Sequence, residues 1–199
     1  MTTGSTYEQD RTEAPLAGAP RAAAGVTVWL TGLPSAGKTT IANALATELI
    51  DLGRDFEILD GDEVRTHLSK GLGFSRADRD THVRRIGFVA ELLASHGVVV
   101  IVPVIAPYAA VRDEIREHHL EQGTQIIQVH LSTAVEVCAD RDVKGLYAKA
   151  ARGEISNMTG VTDPYEIPAE PDLRIDTAAV DLTTSVALLT SLLAERNLL

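Results

Sequence analysis

The chain has 199 residues, of which 45% are hydrophobic and 23% charged, a composition typical of one globular domain with a substantial core. Its formal net charge of -10 excludes a generic binder of nucleic acid or anionic membranes, because affinity for those polyanions depends on neutralising phosphate with Lys and Arg. A single cysteine, Cys138, no apolar run of about 18 residues and no signal-peptide pattern together predict a cytoplasmic protein without an intrachain disulfide.

The first 24 residues differ in composition from the rest of the chain. Thr, Ala, Gly, Pro and Glu dominate them, and Leu16 is their one large aliphatic side chain after Met1. Such a segment cannot bury enough apolar surface to offset the entropy of ordering. The sequence therefore predicts a flexible tail over residues 1–24 and a folded domain over residues 25–199.

From residue 25 onward, short apolar runs alternate with stretches of helical spacing. The runs are VTVWL, DFEIL, VVVIVPVIA, QIIQVHL and LRID. This alternation predicts an α/β fold with a parallel sheet of about five strands flanked by helices. Ile41, Leu45 and Leu49 have the spacing of a helix that packs on such a sheet, and residues 182–199 predict a closing helix.

A glycine-rich loop follows the first apolar run. Its residues match the pattern G-x-x-x-x-G-K-[ST] and are Gly32, Leu33, Pro34, Ser35, Ala36, Gly37, Lys38 and Thr39, with Thr40 next to them. In this motif backbone N–H groups and a helix N-terminus hold phosphates. We expect Lys38 to reach the β- and γ-phosphates of ATP and Thr39 to bind Mg²⁺. The motif predicts a P-loop NTPase fold with ATP and Mg²⁺ as cofactors, and it does not specify the phosphoryl acceptor.

Two carboxylates follow the second run, in Leu59-Asp60-Gly61-Asp62. Ligands of doubly wound sheets collect at the carboxyl ends of strands, so both carboxylates are expected to face the nucleotide. One can accept the proton of the attacking hydroxyl while the other holds a metal-bound water. Because D-G-D triplets also form ordinary turns, the triplet alone leaves the catalytic and the structural interpretation open.

Residues 142–171 interrupt the alternation with three glycines, three prolines and several charges. A connection of this length inside a compact domain is usually functional. The segment carries Lys144, Lys149 and Arg152, which could close over bound polyphosphate and exclude water. We call it the lid segment.

Several longer motifs resemble the adenylyl-sulfate kinase family. They are GLPSAGKTT, LDGDEVRTHLSKGLGFSRADRDTHVRRIGFVAELL, RDVKGLYAKAARGEI and MTGVTDPYE, in the order of that family. The resemblance implies a kinase that transfers the γ-phosphoryl group of ATP to the 3′-hydroxyl of adenosine 5′-phosphosulfate (APS), giving ADP and 3′-phosphoadenylyl sulfate in sulfate assimilation. It also implies a homodimer with a functional link to ATP sulfurylase.

The resemblance further implies a role for individual residues. Lys38, Asp60 and Asp62 would be catalytic, with Asp60 as the base near the ribose hydroxyl and Asp62, like Thr39, in the magnesium environment. Arg141 would lie over the adenine of ATP. The acceptor would contact Asp60, Arg65, Phe74, Arg79, His82, Ile105, Lys144 and Met158. In this set Phe74 offers a stacking surface for the adenine of APS, and the arginines suit its phosphosulfate.

The chain departs from the family pattern at several positions. His82 replaces a common Asn, Met158 replaces a Phe, Val143 replaces a Pro that would restrict the lid segment, and Ala106 replaces a Ser often labelled as a phosphorylated intermediate. Direct transfer from ATP needs no such intermediate. If His82 contacts the phosphosulfate in its charged form, the KM for APS should rise between about pH 6 and 8.

Two other functions remain open from the sequence. A kinase of the same fold could act on a different nucleotide or nucleoside acceptor, because both His82 and Met158 belong to the predicted acceptor pocket. A nucleotide-sensing domain without turnover is the other alternative, although it would not need the complete set of Lys38, Thr39, Asp60 and Asp62.

Overall fold

The computed structural model describes residues 24–199. The predicted tail, residues 1–24, therefore lies outside the described residues except for Ala24. The strands are β1 Val26–Gly32, β2 Phe56–Ile58, β3 Val99–Pro103, β4 Gln125–Leu131 and β5 Leu173–Ile175. The helices are α1 Lys38–Asp51, α2 Gly61–Leu68, α3 Arg76–Ala94, α4 Ala109–Glu121, α5 Val135–Arg141, α6 Leu146–Ala151 and α7 Leu182–Glu195.

The strands form one sheet in the order β2-β3-β1-β4-β5, and every neighbouring pair is parallel. Val28 at the centre of β1 pairs with Ile101 of β3 and with Ile127 of β4. All seven residues of β1 are buried, as expected for the central strand of a sheet that helices cover on both faces. The predicted fold class, with its five parallel strands, is confirmed.

Alternate residues of the central strand supply the two halves of the core. Val26, Val28 and Leu30 point into the cluster that contains Leu45 of α1 and Leu189 of α7. Trp29 points to the opposite face, where α3 and α4 pack. The period of two in the strand thus divides its side chains between two layers of helices. Cys138 is fully buried in the first cluster.

Two of the helices that face the cleft, α2 and α3, begin at polar caps. Asp60 caps α2 by accepting a hydrogen bond from the N–H group of Asp62, at 2.9 Å. Ser75 caps α3 in the same way through the N–H group of Asp78, at 3.2 Å. Helix α3 therefore begins at Arg76.

The lid segment is not a simple loop, because it contains the short helix α6 and an isolated bridge between Thr159 and Asp163. Within residues 24–199, none of the helices combines the length and the apolar composition that a membrane crossing requires.

Candidate active site

A cleft of about 870 Å³ opens at the carboxyl edge of the sheet. The loops after β1, β2 and β3 form its floor, and the start of the lid segment forms one side. Of the residues predicted from the sequence, those that line the cleft are Pro34, Ser35, Gly37, Lys38, Thr39, Thr40, Asp60, Asp62, Arg65, Phe74, Arg79, His82, Ile105, Arg141 and Lys144. The fold therefore brings the predicted ATP-binding and acceptor-binding sets into one cavity.

The glycine-rich loop at residues 32–39, which we call the phosphate loop, has the conformation that its sequence predicts. Gly37 precedes α1 with a φ of 98° and Ser35 has a φ of 61°, so the chain turns back on itself in the left-handed region. A Cβ atom on Gly32 would lie 2.7 Å from the carbonyl oxygen of Leu131, which explains the glycine at the end of β1. Gly32, Leu33 and Ala36 belong to this loop without lining the cleft.

The ammonium group of Lys38 lies over the loop that precedes it. Its Nζ donates to the carbonyl oxygens of Gly32 at 2.9 Å and Leu33 at 2.7 Å. Burial lowers the pKa of Lys38 to about 8. A phosphate in the loop would offer stronger acceptors than these carbonyls and would favour the charged lysine.

Thr39 and Asp60 form the oxygen-rich part of the cleft. The Thr39 hydroxyl donates to Oδ2 of Asp60 at 3.2 Å, while Oδ1 of Asp60 caps α2. Mg²⁺ in phosphoryl-transfer sites is held by one or two protein oxygens together with phosphates and waters. The exposed hydroxyl and carboxylates at this position have the chemistry that Mg²⁺ prefers, so the residues present fit the ion.

Asp62 has a different neighbour from the one expected. Its carboxylate accepts a hydrogen bond from Lys144 at the start of the lid segment, and both side chains are exposed. The hydrogen bond to Asp62 raises the pKa of Lys144. Of the three basic lid residues, Lys144 lines the cleft, whereas Lys149 does not and Arg152 pairs with Glu154. The lid segment thus brings one basic side chain to the cleft rather than the three that the sequence suggested.

An aromatic ring flanked by two guanidinium groups lies at the acceptor end of the cleft. The side chain of Phe74 is exposed, and the guanidinium carbons of Arg65 and Arg79 lie 4.8 Å and 5.7 Å from its ring centroid. Arg79 also donates to Thr159 at 2.8 Å and to the carbonyl oxygen of Asn157, which ties α3 to the lid segment. A planar base and an anionic group could both be bound here.

His82 is buried, with 4% exposure. Its Nδ1 lies 2.9 Å from the Ser69 hydroxyl and its Nε2 lies 3.0 Å from the carbonyl oxygen of Gly61. Because a carbonyl only accepts, Nε2 carries the proton and Nδ1 accepts from Ser69. Burial and the neighbouring Arg65 lower the pKa of His82 to about 4, so the ring is neutral at pH 6–8. The hypothesis of a charged His82 next to the phosphosulfate is wrong.

Because His82 is neutral in the folded protein, we expect it to make the unfolding free energy depend on pH, rather than the affinity for the acceptor. Its folded pKa of about 4 is below the ordinary histidine pKa of 6.5, so its stabilising effect is present above about pH 6.5 and lost as the pH falls towards 4. We expect His82→Asn to reduce the difference in unfolding free energy between pH 7 and pH 5, measured by urea titration. His67→Asn, which changes an exposed histidine, should leave that difference unchanged. A KM for APS that still rises from pH 6 to pH 8 only in the wild type would contradict this.

Met158 and Ala106 are the other departures that the structure clarifies. The Met158 side chain is 5% exposed and belongs to the core cluster rather than to the cleft lining. The prediction that Met158 contacts the acceptor is therefore corrected, because its apolar thioether packs into the core instead. Ala106 lines the cleft with a φ of 41°, and Val143 lines it as well.

The sequence interpretation missed part of the nucleotide end. Arg141 donates to the hydroxyl of Thr177 at 2.7 Å and to its carbonyl oxygen at 2.9 Å. The same Thr177 hydroxyl donates to the carbonyl oxygen of Ala36, and Val180 and Leu182 line the cleft nearby. Thr177 follows β5 by two residues, so the rule that ligands collect at strand ends could have identified it.

Comparison with known proteins identifies the family. The model of the adenylylsulphate kinase family matches residues 24–176. A probable adenylyl-sulfate kinase from Synechocystis sp. is 54% identical over 162 residues, which cover 81% of this chain and 89% of that protein. The adenylyl-sulfate kinase of Chloroflexus aurantiacus is also 54% identical, over 82% of this chain and 86% of its own.

Solved structures agree with the sequence relatives. An APS kinase from Mycobacterium tuberculosis, in complex with AMPPNP and APS, is 40% identical with a TM-score of 0.83 over 85% of this chain and 98% of that one. A shikimate kinase from Acinetobacter baumannii, at 19% identity and a TM-score of 0.53 over 87% of this chain and 95% of its own, shares the fold alone. The phosphate loop, the paired carboxylates and these matches together show that the chain belongs to the adenylyl-sulfate kinase family.

Proposed function

We propose that this chain transfers the γ-phosphoryl group of ATP to the ribose 3′-hydroxyl of APS and releases ADP and 3′-phosphoadenylyl sulfate. The observation that carries the proposal is a single cleft with two chemically different ends. One end holds the phosphate loop and the other holds the ring of Phe74 between Arg65 and Arg79. Asp60 lines the same cleft next to Thr39, and we assign it to the attacking hydroxyl.

The chain's own residues divide the chemistry as follows. The loop N–H groups and Lys38 hold the ATP phosphates and neutralise the charge that develops during transfer. Asp60 orients the acceptor hydroxyl and accepts its proton. Arg65, Arg79 and Lys144 hold the phosphosulfate, and they fix the ribose in line with ATP.

Magnesium would be held by Thr39 and by the carboxylate of Asp62, which leaves the Asp60 carboxylate to act as the base. The bound ion would supply charge neutralisation on the β- and γ-phosphate oxygens. The pair between Lys144 and Asp62 supports a mobile start of the lid segment, because both partners are exposed and each has a stronger partner in the complex.

The proposal also covers assembly and cellular setting. A homodimer and a functional link to ATP sulfurylase rest on the family resemblance, and a cytoplasmic location rests on the composition of the sequence. A hexameric APS kinase from Thiobacillus denitrificans, 37% identical over 90% of this chain and 31% of its own with a TM-score of 0.68, supports assembly in general. Light scattering on the purified chain should give twice the mass of 21.3 kDa.

One assay tests the acceptor. ADP release would be measured with ATP and Mg²⁺ in the presence of APS, AMP or no acceptor, and release that depends on APS is expected. Strong release with another nucleotide but not with APS would overturn the proposal in favour of a different acceptor. No release under any condition would leave a nucleotide-sensing domain.

Arg141 should act on ATP and not on APS. Its guanidinium is held at the nucleotide end by Thr177, and a cation over an adenine contributes about 0.5–2 kcal/mol. We expect Arg141→Ala to raise the KM for ATP by roughly 2- to 30-fold, with little change in the KM for APS. Arg54→Ala, on the surface away from the cleft, is the control. Steady-state titration of each substrate would measure both values, and an effect confined to APS would contradict the assignment.

A further inference from the structure

The loop at residues 105–107 lines the acceptor end of the cleft, and each of its three consecutive carbonyl groups is held from outside the loop. The Thr31 hydroxyl donates to the carbonyl oxygen of Ile105. Arg112 donates to that of Ala106 at 2.7 Å. The backbone N–H of Glu166 donates to that of Pro107 at 2.8 Å. None of these carbonyls is part of the sheet ladder, so their directions depend on these three donors.

The donors converge on residues 163–166 of the lid segment, which we call the brace. Tyr165 lies 3.0 Å from the Thr31 hydroxyl, and because Thr31 already donates to Ile105, Tyr165 must be the donor to Thr31. Arg112 also donates to the carbonyl oxygen of Glu166 at 2.6 Å. The Glu166 carboxylate accepts from the N–H of Ala109, at the start of α4, at 2.6 Å. This supplies the cap that the N-cap residue of α4 lacks.

The other end of the brace reaches the opposite wall of the cleft. Asp163 accepts a hydrogen bond from the Tyr108 hydroxyl at 2.8 Å, and its carboxylate lies 3.9 Å from the guanidinium group of Arg79. Four consecutive residues thus touch both Arg79 and the 105–107 loop. A shift of the brace would move two walls of the acceptor pocket together.

The loop also contains a strained residue. Ala106 is 1% exposed and has a φ of 41°, a conformation that L-residues other than glycine rarely adopt. Such a residue persists when its surroundings over-determine its conformation. The hydrogen bonds to carbonyls 105, 106 and 107 provide that constraint.

We propose that Tyr165 and Thr31 are positioning residues for the acceptor, because their hydroxyls form a directed chain that ends on the Ile105 carbonyl in the cleft wall. The inference rests on the proposed function, and it concerns residues that do not contact the reacting atoms. The Thr31 hydroxyl belongs to the strand that leads into the phosphate loop, so the chain also sets the acceptor wall relative to the ATP site.

The test measures KM for both substrates in Tyr165→Phe, Thr31→Val and the double variant. One lost hydrogen bond in this chain should raise the KM for APS by roughly 3- to 10-fold, with the KM for ATP changed by less than about twofold. The double variant should be no worse than the more affected single variant by more than about twofold, because both changes break one chain. Thr31→Ser restores the hydroxyl and should return the KM for APS to near the wild-type value.

Thr27→Val is the matched control for a purely structural effect. Thr27 lies on the same strand, is fully buried, and its hydroxyl lies 2.9 Å from Nε2 of His119 on the far side from the cleft. We expect it to lower the melting temperature without changing either KM. The inference is overturned if Tyr165→Phe and Thr31→Val behave like Thr27→Val, if both KM values rise equally, or if Thr31→Ser fails to rescue. A wild type that shows no APS-dependent ADP release would instead overturn the proposed function.

Discussion

Replacing Lys38 with alanine is expected to remove at least about 3 kcal/mol of transition-state stabilisation, which corresponds to a loss of about 150-fold in kcat/KM. The ammonium group is the cation closest to the phosphate loop, where it now donates to the carbonyls of Gly32 and Leu33. Alanine leaves the charge on the transferred group without this partner while the loop N–H groups remain. Coupled ADP release with saturating Mg²⁺ would measure the loss.

Two controls separate catalysis from folding. Lys70→Ala removes the same charge from an exposed site outside the cleft and should keep kcat/KM within about twofold of the wild type. Thermal unfolding of Lys38→Ala should show a folded protein, because the main structural contacts of the lysine are two loop hydrogen bonds. Full activity in Lys38→Ala would contradict the assignment of the phosphate loop.

Much of the fold follows from local features of the sequence. The run VTVWL is continuous and apolar because a central parallel strand is buried on both faces, and β1 is indeed buried along its whole length. The glycines of the phosphate loop and the helix after it are equally local, since the backbone conformation at Gly37 depends on its own residue type. Such features need no knowledge of distant contacts.

The orientation of site side chains was less predictable. Arg79 and His82 lie three residues apart on α3, and the family resemblance implied that both contact the acceptor. Arg79 does line the cleft, whereas both ring nitrogens of His82 are used by Ser69 and by the carbonyl of Gly61. These two partners precede His82 by 13 and 21 residues and lie outside α3, so no helical period could reveal them. The suggestion that the ring is charged failed for the same reason.

Met158 and Thr177 also show that the sequence could not predict side-chain placement. Met158 was predicted in the site and lies outside it, whereas Thr177 was not predicted and lies within it. Met158 occupies a position predicted to contact the acceptor, yet its side chain enters the core, because the Thr159–Asp163 bridge fixes the direction of the turn around it. Thr177 carries no motif, and it becomes a site residue because β5 ends beside the phosphate loop and Arg141 reaches it. The first placement depends on how the lid segment folds, and the second depends on how β5 pairs with β4 at the edge of the sheet.

Replacing Asp60 with asparagine should separate the two functions that the structure gives this side chain. Oδ1 caps α2 and Oδ2 lies 3.2 Å from the Thr39 hydroxyl. Asparagine is as good an N-cap as aspartate, so the helix should remain, but its amide cannot accept the proton of the attacking hydroxyl. We expect kcat to fall by about 10²- to 10⁴-fold, the usual contribution of a general base, with a melting temperature close to that of the wild type.

Comparison with Asp62→Asn shows which of the two carboxylates acts as the base. Asp62 carries the same charge two residues away, but its carboxylate pairs with Lys144 of the lid segment rather than with Thr39. Because Asp62 is a proposed magnesium ligand rather than the base, its replacement should weaken the binding of Mg²⁺ and, at saturating Mg²⁺, reduce kcat less than Asp60→Asn does. Asp51→Asn, at the exposed end of α1, controls for the change in net charge. If Asp60→Asn keeps kcat within tenfold of the wild type, the assignment of Asp60 as the base is wrong; a larger loss in Asp62→Asn would then move that role to Asp62.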